Sequence, residues 1–338
     1  IDVEVDMDTD MKADDYDSEA YIQKFVDIVA SLEPTYGGIN LEDIKAPECF
    51  EIERRLKERC NIPVFHDDQH GTAIIVTAAF KNWIEWSGRN IEDIRLVCSG
   101  AGASALSCLN LLVGAGLKRE NIIVCDRTGV VYEGRNEGMD PQKEKFAVKT
   151  DFREIREAMA GADVFLGLSG PGAVDKDMIK SMADAPLVMT LANPTPEIMP
   201  EDAKEAKPDC IVCTGRSDYT NQVNNVLCFP FIFRGALDVG ATEINDAMQI
   251  GCVDGIAALA RATTSAEAAA AYQGEQMTFG PEYLIPKPFD PRLMGVVATS
   301  VARAAMKSGV QPPDISSASA LVPRTARTSF MRPFITAS

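Results

Sequence analysis

The sequence predicts an α/β protein, a Rossmann-like doubly wound parallel sheet with a second, discontinuous α/β domain. Three observations carry this. Short apolar runs of strand length alternate along the chain with helical patterns, the order that gives a parallel sheet covered on both faces. Between one such strand and helix lies Ser99-Gly100-Ala101-Gly102-Ala103-Ser104-Ala105, the G-x-G-x-x-A spacing of a dinucleotide-binding turn. The segments on either side of that region have strands and helices of their own, and pack together as the second domain.

Composition bounds the reading. At 338 residues, 46% hydrophobic and 25% charged, the chain can build two domains with real cores. Its formal charge of −17 argues against nucleic acid or an anionic membrane as partner, because the surplus of Lys and Arg that neutralises phosphates is missing. No run of about 18 apolar residues is present, and Ile1-Asp2-Val3-Glu4 is neither an initiating Met nor a basic, apolar leader. A soluble cytoplasmic protein, beginning abruptly, is expected. The odd number of cysteines, nine, fits reduced thiols better than a disulfide framework.

Taken in order, Ile1 to Asp8 alternates apolar and acidic residues, as a half-buried strand does. Ser18 caps a helix with Tyr21, Ile22, Phe25, Val26 and Val29 on one face and Pro34 beyond its end. A strand at Gly38–Leu41, a helix from near Pro47 to Leu56, a strand at Pro63–His66 and a buried helix from Gly71 to about Trp86 follow. The strand Arg95–Cys98, the glycine turn, the helix Leu106–Val113 and the strand Ile122–Cys125 make a βαβ unit. Helix Phe152–Met159, strand Val164–Leu168, helix Lys176–Met182 and strands Leu187–Leu191 and Ile211–Cys213 continue the alternation. Helices at Ile244–Arg261 and Val296–Met306 flank an Ala-rich stretch. The domains read as 1–66, part of a substrate and metal domain, 67–224, dinucleotide-binding, and 225–310, a return to the first. Residues 311–338, with Leu321-Val322-Pro323-Arg324 resembling a protease-cleavage linker, read as a disordered or non-native tail.

Chemistry gathers around Phe65-His66-Asp67-Asp68-Gln69-His70-Gly71-Thr72. Glu42, Asp43 and Asp68 each close a strand-like run, so neighbouring strands would bring them to one sheet edge, and carboxylate oxygens select Mg²⁺ or Mn²⁺. Taken alone, Glu42-Asp43 is a solvated pair or a helix cap, and Asp67-Asp68 the cap of the next helix. His66 and His70 stand four apart, but the strand before them breaks the helical register a zinc site would use. Cys210 and Cys213 match C-x-x-C, yet lie in a strand, where residues three apart point to opposite faces.

In the glycine turn, Gly100 permits the tight turn, Gly102 lets the backbone approach a pyrophosphate and Ala105 allows close packing, with Ala101, Ala103 and Ser104 presenting amides. Asp126 ends the next strand, where a ribose 2′-hydroxyl is bound, and Arg127 beside it can pair with a 2′-phosphate, which leaves NAD and NADP open. Ser169-Gly170-Pro171-Gly172 follows another strand of the unit and lines the same crevice. Asn193 follows a strand and precedes Pro194, which biases it to an extended conformation where ligands bind. Without that context Asn193-Pro194, like Asn224-Asn225, reads as a turn.

From Ile1 to about Gly309 the sequence resembles malic enzyme, specifically the bacterial NADP-dependent form. The resemblance rests on Tyr36-Gly37-Gly38-Ile39-Asn40-Leu41-Glu42-Asp43-Ile44, on Pro63 to Ala73, on Leu191-Ala192-Asn193-Pro194-Thr195-Pro196-Glu197, and on Thr214 to Val226. It implies Glu42, Asp43 and Asp68 as metal ligands, Ala101–Ser104 as the pyrophosphate loop, Asn193 as a nicotinamide-side contact and Asn225, with Asn224 beside it, as a malate contact. The implied reaction is oxidation of L-malate by hydride transfer to NADP, with NAD tolerated, then metal-assisted decarboxylation and protonation of the enol to pyruvate. The family's tyrosine and lysine acid and base fall before the point matched by Ile1. Asp67, through water, is the substitute base within the chain, which on this reading binds metal and dinucleotide but turns malate over poorly. A homo-oligomer and a phosphotransacetylase-like domain behind this part are also implied. A malolactic-type relative and a non-catalytic nucleotide-sensing module are the rival readings.

Overall fold

A computed structural model describes residues 2–3, 17–272, 274, 277–310 and 334–337. In chain order the first elements are β1 (Asp2–Val3), α1 (Ser18–Ala30), β2 (Gly38–Leu41), α2 (Glu48–Arg59), β3 (Val64–His66), α3 (Thr72–Ser87), β4 (Leu96–Ser99), α4 (Ala103–Gly114), β5 (Ile122–Asp126) and β6 (Gly129–Val130). Then come α5 (Pro141–Glu144), α6 (Ile155–Met159), β7 (Val164–Gly167), α7 (Lys176–Lys180), β8 (Leu187–Thr190), α8 (Pro200–Ala206) and β9 (Ile211–Thr214). The last are α9 (Phe229–Asp238), α10 (Asp246–Arg261), α11 (Ala266–Ala271), α12 (Arg292–Ser308) and β10 (Phe334–Ala337). No helix among the described residues is long and apolar enough to cross a membrane.

Contacts divide the chain into a unit of Ile1–Gly71, Asn225–Gly255 and Pro291–Ser338 and a unit of Thr72–Asn224 and Ile256–Asp290. The first holds a parallel four-stranded sheet of order β1-β10-β2-β3. Helix α1 buries Ile22, Phe25, Val26 and Val29, the face expected of it, but its cap is Asp17, whose carboxylate accepts the Glu19 and Ala20 amides, rather than Ser18. Helix α9, which the sequence reading left out, starts with Pro230 in its first turn, where a missing N–H costs nothing. It packs against α12 closely enough that a Cβ on Gly235 would stand 2.5 Å from the Ala298 carbonyl. Strand β10 lies within residues 311–338, where a disordered or non-native tail was expected, and gives residues 334–337 a place in the sheet. Its Phe-Ile-Thr-Ala suits a ladder and pairs in parallel with β2. Residues 311–333, with the cleavage-like motif, and 4–16, which include residues 4–8 of the expected first strand, lie outside the described residues.

The second unit carries a six-stranded sheet of order β6-β5-β4-β7-β8-β9, parallel except for β6. The chain leaves β4 for β5 on one side and returns to β7, β8 and β9 on the other, so the direction reverses at β4, and ligands bind at such a switch point. Strands β4, β7, β8 and β9 are buried along their whole length, as strands covered on both faces must be. Helix α3 is buried from Ala73 to Phe80, a helix apolar on all sides. Strand β6 went unread because it is two residues long, made by a turn in which Asp126 accepts the Thr128 amide and Gly129 takes φ +109°.

Two boundaries differ from the expected domains. Asp67 to Gly71 belongs with the first unit, since it continues β3 as a π-helical turn. Ile256–Asp290 joins the dinucleotide-type unit and not the returning 225–310 segment. Asn82 of α3, wholly buried, ties the segment to this unit: it donates to the carbonyls of Ala257 (3.0 Å) and Leu284 (2.7 Å) and accepts from Arg261 (2.6 Å).

Candidate functional site

In the first unit the site is built by strand register. Leu41 pairs with His66, so the residues that follow, Glu42-Asp43 and Asp67-Asp68, leave the sheet side by side. Asp43 turns at φ +58°, and its amide donates to Asp68 Oδ2 at 2.7 Å. Asn40 donates to Glu42 Oε2 at 3.3 Å. The Asn225 side-chain amide, at the start of a 3₁₀ turn, donates to the Asp67 carbonyl at 3.3 Å. Asp67 is buried and its Oδ1 has no hydrogen-bond partner. Burial pushes its carboxyl up to about 7, opposed by a hydrogen bond from Asn225 and helped by the charges of Glu42 and Asp68. Gly71 leaves room for this carboxylate, for a Cβ there would stand 2.1 Å from Asp67 Oδ1 and would push the side chain aside.

Glu42, Asp43 and Asp68 therefore follow neighbouring strands at one sheet edge, and an all-oxygen donor set of this kind fits a hard divalent cation. Among the described residues, however, no group of three or more His, Cys, Asp or Glu side chains is gathered as a ready-made metal cage. The histidines act separately. His66 ends β3 and is fully buried, whereas His70 Nε2 meets Glu53 Oε1 at 2.7 Å. Burial would raise the Glu53 carboxyl, but His70 and Lys57 outweigh it and hold it at about 2. Cys210 and Cys213 are buried free thiols, pushed up by that burial to about 11 and about 12, far from the range of a reactive cysteine.

In the second unit the glycine turn lies between β4 and α4. Gly100 takes φ +117°, and a Cβ there would stand 2.4 Å from the Leu168 carbonyl. A Cβ on Gly102 would meet nothing within 4 Å, so the backbone is open to an approaching phosphate at the N-terminus of α4, beside Ala101, Ala103 and Ser104. Ala105 is buried. Asn193, after β8, is exposed, and Asn224 ends the segment of this unit that began at Thr72.

At the end of β5, Asp126 is held by Arg135 (2.6 Å) and Lys143 (3.0 Å). Burial raises its carboxyl, but Arg135, the Thr128 amide and Lys143 bring it below the usual carboxylate range. Arg127, the cation singled out from the sequence, is exposed. Arg135 and Lys143 were missed because nothing in their spacing from Asp126 marks a pairing that only the β5–β6 turn creates.

A switch-point crevice, a glycine turn on a helix N-terminus and an acidic residue closing the second strand define a dinucleotide-binding α/β protein. Residues 69–272 match the family model "Malic enzyme, NAD binding domain" and residues 7–57 "Malic enzyme, N-terminal domain". The chain belongs to the malic enzyme family. It is 59% identical over 302 residues to the NADP-dependent malic enzyme of Escherichia coli (strain K12), covering 89% of this chain and 39% of that protein. It is 48% identical over 293 residues to the bifunctional malic/malolactic enzyme of Bacillus subtilis (strain 168), covering 86% of this chain and 67% of that one. The crystal structure of Entamoeba histolytica malic enzyme superposes with a TM-score of 0.77 at 37% identity, over 90% of this chain and 61% of that chain. The chain thus spans about two fifths of the E. coli relative.

Proposed function

We propose that the whole protein oxidises L-malate with NADP, NAD serving less well, and decarboxylates the product to pyruvate, with Mg²⁺ or Mn²⁺ required. The observation that carries this beyond family membership is the register of β2 and β3, which sets Glu42 and Asp43 beside Asp67 and Asp68. Glu42, Asp43 and Asp68 would hold the metal, which when bound supplies Lewis acidity for the hydroxyl and for the departing carboxylate. The Asn225 amide, with Asn224 beside it, binds malate polar groups as donor and acceptor without adding charge. Asp67, buried and titrating near neutral, is the chain's own group able to accept a proton through water at this edge. The turn Gly100–Ser104 binds the pyrophosphate, Asn193 the nicotinamide side, and the cluster of Asp126, Arg135 and Lys143, with Arg127 near it, the ribose and its 2′-phosphate.

The test is malate-dependent reduction of NADP by the full-length protein with Mn²⁺ supplied, followed by identification of the product. Pyruvate with one NADPH released per turnover supports the reading. The Bacillus subtilis relative makes a second reading concrete: lactate, with no net reduction of the dinucleotide, would assign the malolactic reaction instead. No turnover, with dinucleotide binding retained, would assign a nucleotide-sensing module.

A further inference from the structure

Glu197 is wholly buried in the second unit, and its carboxylate reaches the loops that follow two strands. Oε1 accepts the Ser169 amide at 2.8 Å, after β7. Oε2 accepts the Ala192 amide at 3.1 Å and the Thr190 hydroxyl at 3.2 Å, at the end of β8. The Glu197 carbonyl accepts the Gly172 amide at 3.0 Å, so one residue grips both ends of the Ser169–Gly172 turn. Ser169 Oγ in turn lies 2.8 Å from Ser99 Oγ, at the end of β4. Gly167 makes room for the carboxylate, since a Cβ there would stand 2.5 Å from Glu197 Cδ.

A carboxylate buried among neutral amides and a hydroxyl is costly, and an apolar side chain would fill the same volume with less penalty. What the carboxylate supplies is direction: two oxygens that fix two separate loop amides at once. Those loops lie in the β7-β8-β9 half of the sheet. Asp126 lies in the β6-β5-β4 half, which takes the adenosine, so the loops tied by Glu197 serve the other nucleotide half.

We propose that Glu197 is a positioning residue for the nicotinamide end of the cofactor, holding the Ser169–Gly172 turn and the Ala192-Asn193-Pro194 segment in their binding conformation. This rests on the dinucleotide reading of the unit. Glu197→Gln keeps size and shape but offers one acceptor where two are used, so the Ser169 or Ala192 amide then faces an N–H.

The experiment is calorimetric titration of the full chain and of Glu197→Gln with NADP and, separately, with 2′-phospho-ADP-ribose, which lacks the nicotinamide. An unmade buried hydrogen bond that misplaces the loops should weaken NADP binding about tenfold or more, with the fragment changed by less than about twofold. Equal weakening of both ligands, the result of a merely structural role, overturns the proposal, as does no change in either. Gly167→Ala, which alters no loop residue but pushes the same carboxylate aside, should show the same split. If the unaltered chain binds neither ligand, the dinucleotide reading itself fails and the proposal falls with it.

Discussion

Asp68 joins two jobs that a substitution can separate. Its Oδ2 accepts the Asp43 amide, and its charge belongs to the proposed metal set. Asn at this position retains a carbonyl acceptor for that amide and removes only the charge. Asp68→Asn should therefore leave dinucleotide affinity intact while weakening Mn²⁺ binding by more than about tenfold, read by titration of the metal in the absence of substrate. Unchanged Mn²⁺ affinity would take Asp68 out of the site. The cofactor assignment rests on cations near Asp126, and Lys143 is the less buried of its two partners. Lys143→Ala should lower kcat/KM for NADP by about tenfold, the scale of one hydrogen bond to a charged group, with little effect on NAD. Arg127→Ala is the companion measurement, and a preference for NAD untouched by either change would defeat the NADP assignment. At this scale the placement of Glu42, Asp43 and Asp68 at one sheet edge, and of the glycine turn between strand and helix, was legible, because each closes a strand-like run or sits in a spaced motif. Arg135, Lys143 and Glu197 were not, because their roles come from partners distant in the chain or across a turn, and no local pattern encodes them.

The turn Asp67–Gly71 shows how an element joins those residues to the fold. It leaves β3, keeps Asp67 buried and runs directly into α3, which is why a sequence boundary drawn after His66 fell five residues early. Two of its contacts can be tested by substitution. Gly71 leaves space for the Asp67 carboxylate, so Gly71→Ala must displace that side chain and should abolish malate turnover while the protein remains folded by circular dichroism; full activity would show that Asp67 has no fixed place in the site. The other contact is the Glu53–His70 pair from α2. Glu53 is depressed to about 2 against about 4.3 in an unfolded chain. A carboxylate with a lowered folded-state value stabilises the protein fully above about pH 4.3 and loses that contribution as the pH falls toward about 2. Unfolding measured across that window should show a steeper acid loss in the unaltered protein than in Glu53→Gln, and parallel curves would contradict the pairing.

For the whole molecule, alternation of strands and helices was enough to foresee a doubly wound sheet, since buried parallel strands must be apolar throughout and their crossover helices must cover them. It could not say where the second unit ends, because membership of Ile256–Asp290 depends on contacts distant in the chain and not on periodicity. Asn82 supplies some of them: its amide donates to Ala257 and Leu284 and its oxygen accepts from Arg261. Asn221 adds a second tie, donating to the Pro281 carbonyl and accepting the Leu284 amide, each at 2.7 Å. Asn82→Ala leaves two buried carbonyls and a guanidinium short of a partner, a loss of about 2–4 kcal/mol. Since the affected groups lie in Ala257–Leu284, amide exchange there should accelerate well before that of β4, β5 and β7, whose ladders the substitution does not touch. Uniform acceleration over the whole unit would mean that the returning segment is bound by its apolar contacts, chiefly Ile256, Leu259, Ala260 and Leu284, and that the asparagine is incidental to its place in the fold.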